Sequence, residues 1–252
     1  MNNKQFYSTY QYPNIKGLGK THSSLMKKII SYANLTSKDL QGKEILDAGC
    51  GTGDKSIFFA LHGANVTSID FSLGQLQKAK ENANSNLVKL KLIKADILNS
   101  DLEKLRKFDY IFCLGVLHHT KDAKKGFLKL TKLLKPNGVI VIALYHKYAR
   151  LRYRLIRALL RIFVSRKPEK ITKFLFSNNF FAKKLNTANK ETLYDRYAVP
   201  FESYHTLKEI RKWFSQVGLK EIAHSENVSG FEPFKVFERK TLFFVSGKLI
   251  NP

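Results

Sequence analysis

Glu44-Ile45-Leu46-Asp47-Ala48-Gly49-Cys50-Gly51-Thr52-Gly53 is an apolar run that ends in an acid and three alternating glycines. A short buried strand running into a glycine-rich turn and then a helix is how a doubly wound sheet holds a nucleotide. The flanking sequence continues that rhythm. Strand patterns fall at 43–48, 65–70, 88–96, 108–114 and 139–144. Helical patterns lie between them at 54–62, 73–82 and 122–134, the last stopped by Pro136-Asn137-Gly138. Such alternation predicts an α/β, Rossmann-like sheet with helices on both faces.

Outside that core the chain divides into further parts. Residues 1–21, with Tyr7, Tyr10, Pro13, Gly17 and Gly19, read as an irregular arm that either packs on the surface or forms a lid. A helix over 22–32 should turn Leu25, Ile29 and Tyr32 to the sheet, opening a core that extends to residue 147. Residues 148–190 read as a basic helical insertion. Residues 191–252 complete the core with a helix at 207–217 and strands at 219–223 and 235–245.

The 252 residues are 44% hydrophobic and 12% aromatic, the composition of a folded chain with a substantial core. Cys50 and Cys113 are far apart and lack ligand spacing, so neither a disulfide framework nor a metal site is expected, and a reducing, cytoplasmic setting is. No signal-peptide core and no apolar run long enough to span a bilayer is present. The net charge is +24, and residues 121–190 alone hold 19 Lys and Arg against Asp122 and Glu169. An imbalance of this size favours anionic partners, RNA or a lipid headgroup surface, unless it reflects a lysine-rich proteome.

Within the insertion, Arg150, Arg154, Arg157 and Arg161 recur at helical spacing over 148–165. They share one narrow face, and Leu151, Leu155, Leu159 and Ile162 take the other. The expectation is that the arginine face meets phosphates or solvent.

A dinucleotide fingerprint wants glycines at the first, third and sixth positions, whereas Gly49, Gly51 and Gly53 stand at first, third and fifth. Asp47 precedes them, which leaves smaller adenosine-bearing cofactors open. The motif Asp47-x-Gly49-x-Gly51-x-Gly53 resembles the first motif of class I S-adenosylmethionine-dependent methyltransferases. Four further stations follow at matching distances: Asp70; Ala95-Asp96-Ile97; Phe108-Asp109-Tyr110-Ile111; and Leu134-Lys135-Pro136-Asn137-Gly138-Val139. The resemblance implies a seven-stranded sheet, mostly parallel with an antiparallel last strand, and S-adenosyl-L-methionine as cofactor.

It also implies roles. Gly49, Cys50, Gly51 and Gly53 would form the turn, where glycine permits close backbone approach and Cys50 is a small filler. Asp47 would hold the cationic methionine end. Asp70 would accept from the ribose hydroxyls, because a carboxylate accepts both bonds, and Asp96 from the adenine amino group beside the Ile97 N–H. Phe71 and Leu114 would line the same pocket. The helix after Gly53 would favour the methionine carboxylate through its free N–H groups.

After the fourth strand, Gly115-Val116-Leu117-His118-His119-Thr120 corresponds to the segment facing the acceptor in related methyltransferases. One histidine there could take a proton, with His119 slightly favoured over His118. The plain alternative is that one caps a helix and the other packs on the sheet. The segment is not Asn/Asp-Pro-Pro-Tyr, so amino methylation of DNA bases is disfavoured, and Cys113 sits in an apolar strand as an inert thiol. The stretch 194–205, with Arg196, Tyr204 and His205, resembles acceptor loops of small-molecule methyltransferases such as those acting on quinone precursors. It is similar, too, to a Tyr-His stretch of wobble-uridine tRNA methyltransferases. Tyr7, Tyr10 and Tyr145 join these as acceptor-side candidates. Three readings remain: a small or lipid-linked acceptor with 148–165 resting on an anionic membrane surface or roofing the pocket, RNA bound through the arginine face, or a cofactor-binding protein without transfer.

Overall fold

The computed structural model describes residues 20–148, 151–177, 197, 199–225 and 242–250. Tyr7, Tyr10, Arg150 and Arg196 lie outside the described residues, as do most of the N-terminal arm and the end of the insertion.

Helix α1 (Lys20–Ser31) leads into a βα alternation of β1 (Glu44–Ala48), α2 (Asp54–Leu61), β2 (Asn65–Asp70), α3 (Leu73–Ser85), β3 (Lys91–Lys94), β4 (Phe108–Leu114), α4 (Ala123–Thr131) and β5 (Leu134–Tyr145). Then come α5 (Leu151–Phe163), α6 (Pro168–Ser177), α7 (Leu207–Gln216), β6 (Leu219–His224) and β7 (Leu242–Leu249). The seven strands form one sheet in the order β3-β2-β1-β4-β5-β7-β6. Its first five strands pair in parallel, and β7 runs antiparallel between β5 and β6.

Strand side chains alternate between two cores, as the two-residue period requires. Leu46, Ala48, Ile111, Cys113, Ile140 and Ile142 pack toward Phe127 and Leu130 of α4 and Trp213 and Phe214 of α7. Ile45, Val66, Phe112, Val139 and Val141 pack on the opposite face against Met26, Ile29 and Ile30 of α1 and Phe58 and Phe59 of α2. The Phe127 and Phe214 rings stack at 5.5 Å. Helices on both faces bury most of the central strands β1, β4 and β5, which is why these strands are mostly apolar, whereas the edge strand β3 is partly exposed.

Several boundaries differ from expectation. The inward face of α1 carries Met26, Ile29 and Ile30, while Leu25 is 53% exposed. Ile29 and Tyr32 of the expected row do pack toward the sheet, and Met26 and Ile30 take the place given to Leu25. The third strand is only Lys91–Lys94, because Val88 N–H instead donates to Ala83 O at 3.1 Å and closes the end of α3. Helix α4 stops at Thr131. Pro136-Asn137-Gly138 lies within β5, in a bulge between the Phe108–Leu134 and Tyr110–Val139 pairs. The single helix expected over 148–165 is followed by a second, α6, that begins at Pro168, where a missing N–H costs nothing. The last strand runs from Leu242 rather than ending at 245, and residues 235–241 of the expected strand fall outside the described residues.

Candidate active site

Strand order reverses between β1 and β4, so the crevice beyond their carboxyl ends is where such a sheet takes a ligand. At that edge the backbone N–H groups of Gly49 and Cys50 both donate to Ile69 O, at 2.8 and 3.0 Å, folding the turn against β2. Gly49, Gly51 and Gly53 all have left-handed φ, +81°, +54° and +83°. A Cβ on Gly49 would stand 2.4 Å from Val116 Cγ2, whereas one on Gly51 would meet no protein atom within 4 Å. Gly115, φ +79°, likewise faces open space at the end of β4. Two left-handed glycines just past the ends of the adjacent parallel strands β1 and β4 therefore bound an open cradle.

Two carboxylates stand at its rim. Asp70 Oδ2 accepts the Gly51 N–H at 3.0 Å and Oδ1 accepts the Ser72 N–H at 2.9 Å, so the end of β2 pins the turn after β1. Each oxygen keeps a second lone pair for a ligand. Burial raises the Asp70 pKa against the pull of these two N–H donors. Asp47 is fully buried on the α2 side; Ser56 Oγ donates to its Oδ2 at 2.7 Å, and Ser68 Oγ donates to Ser56 Oγ at 2.8 Å. Its Oδ1 has no hydrogen-bond partner. Burial pushes this carboxyl up to about 6, with Lys55 and the Ser56 hydroxyl opposing. Lys55 itself pairs with Asp54 at 3.0 Å. A buried acid with an orphan oxygen beside an open glycine cradle fits the cationic end of S-adenosylmethionine.

The other expected cofactor residues take differing positions. Asp96 closes the turn after β3, accepting from Leu98 N–H at 3.0 Å and Asn99 Nδ2 at 2.6 Å. Ile97 is buried against the helix side of the sheet, and Phe71 and Leu114 are half-buried. Cys50 and Cys113 are buried thiols whose pKa values burial drives up, so neither is a thiolate nucleophile near neutral pH.

On the acceptor side, His118 is fully buried and stacks on Tyr145 at 3.6 Å between ring centroids. His119 is half-buried, edge-on to Tyr145 at 5.3 Å, with Nδ1 3.5 Å from Phe201 O. The segment before α7 is laced across both: Ser203 N–H donates to His118 O at 2.7 Å and His205 N–H to Tyr145 O at 2.9 Å. His205 Nε2 lies 2.8 Å from Ser203 Oγ and its Nδ1 3.0 Å from Glu209 Oε1. The expected candidates His118, His119 and Tyr145 are thus brought together and bonded to the His205 backbone, while Tyr204 joins them only through its neighbours in the chain.

Helix α5 is turned opposite to expectation. Arg157 is buried, ion-paired with Glu202, and donates to Val199 O at 2.6 Å. Arg161 donates to Pro200 O at 3.0 Å, and the Arg154 guanidinium lies 4.8 Å above the Tyr204 ring, whose hydroxyl donates to Glu202. Three arginines of the presumed phosphate-facing row therefore hold the acceptor-side segment. Leu155, Leu159 and Ile162 face outward at 59%, 53% and 73% exposure. The reason is Glu202, a buried acid that needs a cation more than the leucines need cover. Sequence reading also missed Ser56, Ser68 and Val116 as supports of the turn. Isolated serines and a valine carry no local signal of long-range contacts.

A sequence profile of the methyltransferase domain family matches residues 39–193. The ubiquinone biosynthesis O-methyltransferase of Rickettsia conorii is 36% identical over 107 residues, 42% of this chain and 36% of that protein. An uncharacterized protein of Synechococcus is 28% identical over 229 residues, 82% of this chain and 54% of its own length. The chain thus spans about half or less of these relatives. Among solved structures, magnesium protoporphyrin IX methyltransferase from Synechocystis, with bound S-adenosylhomocysteine, superposes with a TM-score of 0.61 at 16% identity, covering 97% of this chain and 92% of that one. That likeness is one of fold. With more than half of its length inside the family profile, the chain belongs to the class I S-adenosylmethionine-dependent methyltransferases.

Proposed function

We propose that this chain transfers a methyl group from S-adenosylmethionine to a nucleophilic atom of a small organic acceptor. The observation that carries the proposal is the open left-handed Gly51 between Asp70 and the orphan Asp47 Oδ1. S-adenosylmethionine supplies a methyl on a cationic sulfur, ready for in-line displacement. Asp47 would balance the cationic methionine end, Asp70 would accept from the ribose hydroxyls with its remaining lone pairs, and Asp96 would sit toward adenine. Phe71, Ile97 and Leu114 would flank these groups. His119, at the mouth of the crevice and oriented by Tyr145, would take the acceptor's proton as the new bond forms. His118, wholly buried under Tyr145, would fix that wall.

The rings of Tyr145 and His119 give the acceptor side an aromatic, mixed-polarity wall suited to a flat organic body, and Tyr204 lies on the segment bonded to that wall. The Rickettsia relatives named for ubiquinone biosynthesis and the fold neighbour named for a porphyrin support a small or lipid-linked acceptor of this kind. An RNA acceptor loses its main argument, because Arg157 and Arg161 are spent on Glu202 and backbone carbonyls. Incubation with methyl-labelled cofactor and host extract tests the proposal. Label should enter the organic-extractable pool; label confined to RNA, or none despite cofactor binding, would overturn it.

A further inference from the structure

We infer that the outward face of α5 docks the protein on an anionic lipid bilayer surface. Leu155, Leu159, Ile162 and Phe163 are 59%, 53%, 73% and 79% exposed. Their spacing of four, three and one places them on one arc of roughly 100°. A helix of a water-soluble fold usually hides leucines and exposes arginines; this one buries Arg157 and half-buries Arg161 while Leu155 and Leu159 stand outward. It cannot roll to cover its apolar arc without pulling Arg157 from Glu202 and Arg161 from Pro200 O. The arc is therefore held outward by buried polar contacts on the helix's other side.

Charge selects the occupant. Just beyond Phe163 stand Arg166, Lys167, Lys170 and Lys173, all exposed, against Glu169 alone. Apolar side chains flanked by unopposed cations fit an interface of acyl chains and anionic headgroups. A second copy of the chain fits poorly, since a symmetric contact would bring two of these basic clusters together. With 13 residues, α5 is about 20 Å long and lies in the interface plane instead of crossing it. Among the described residues no helix is long and apolar enough to span a membrane. Resting on the proposed function, the contact has a consequence: Arg154, Arg157 and Arg161 tie α5 to the 199–204 segment, so docking would bring the acceptor side of the crevice to the bilayer, where a lipid-linked acceptor resides.

The test is co-sedimentation of the full chain with phosphatidylcholine vesicles, with and without phosphatidylglycerol. Binding should require the anionic lipid, and Leu159→Ser/Ile162→Ser/Phe163→Ser should weaken it by roughly tenfold or more. Calorimetric titration of S-adenosylmethionine should be the same for both proteins. That readout shows that the variant is folded and separates failure of docking from failure of the cofactor reading. A Phe163→Trp variant should gain a blue-shifted emission component when anionic vesicles are added. Wild type left in the supernatant, or a triple variant that sediments like wild type, overturns the inference. So does an oligomer that the triple variant dissolves without any vesicle binding, which would make the arc a protein interface.

Discussion

Asp70 at the end of β2 accepts the backbone N–H of Gly51 at 3.0 Å, so one carboxylate both shapes the glycine turn and stands at its open side. The bond links two parallel strands at the point where the ligand crevice opens. A cofactor that also drew on Asp70 would find the turn already held, with little left to order on binding.

Glycines two residues apart should fail in different ways. In Gly49→Ala the new methyl would meet Val116 Cγ2 at 2.4 Å, and the melting temperature should drop clearly. Pairing it with Val116→Ala should recover part of that loss. Gly51→Ala meets no protein atom, so its stability cost should be limited to about 1 kcal/mol for the left-handed backbone, while S-adenosylmethionine affinity should fall sharply. Equal thermal losses in the two single variants would contradict the distinction.

Asp47 gives stability a pH dependence. Its carboxyl moves from an ordinary 3.8 to about 6 on folding. Between these values the folded chain holds a proton that the unfolded chain has released, so stability falls as pH rises through the window. The fall amounts to about 3 kcal/mol and is complete a little above pH ~6. The raised Asp70 contributes in the same direction. Urea midpoints of Asp47→Asn should show a shallower slope over this range. If the cation of the cofactor lies against Asp47, affinity should also strengthen as pH rises through the same window.

The Arg157–Glu202 pair is buried, so deleting one partner should cost far more than deleting both. Arg157→Met takes the ion-pair partner from the buried Glu202 carboxylate, a loss of about 3–5 kcal/mol, and Arg157→Met/Glu202→Leu should regain much of it. Denaturant unfolding of the four members of this cycle measures the coupling. Additive losses would mean that the pair is not energetically linked.

In the proposed reaction His119 takes the acceptor's proton. His119→Ala should lower kcat by about a hundredfold or more. His118→Phe, which keeps a ring stacked on Tyr145, should change kcat much less. The reverse ranking would assign the base to His118.

Much of this architecture was legible in the chain. Asn65–Asp70 closes on an acid and Phe108–Leu114 is a mostly apolar run, and both strands fall where expected. The glycine spacing marked the turn because left-handed backbone is costly for any other residue. Val88–Leu90 misled because an alternating pattern fits a strand as well as the closing turn of α3. The orientation of α5 was hidden for a deeper reason. Its periodicity separates an arginine face from a leucine face, but which face turns inward depends on Glu202, some forty residues away. Nothing local to the helix announces a buried acid. The orphan oxygen of Asp47 is likewise a product of packing, and only its place before Gly49 hinted at a role.

The most direct test of the account is calorimetric titration of S-adenosylmethionine into the wild-type chain and Asp70→Ala. Wild type should bind one equivalent, and Asp70→Ala should bind roughly tenfold or more weakly, having lost the anchor of Gly51 and the acceptor at the turn. Equal affinity in the two proteins, or no binding by wild type, would contradict the assignment of this crevice.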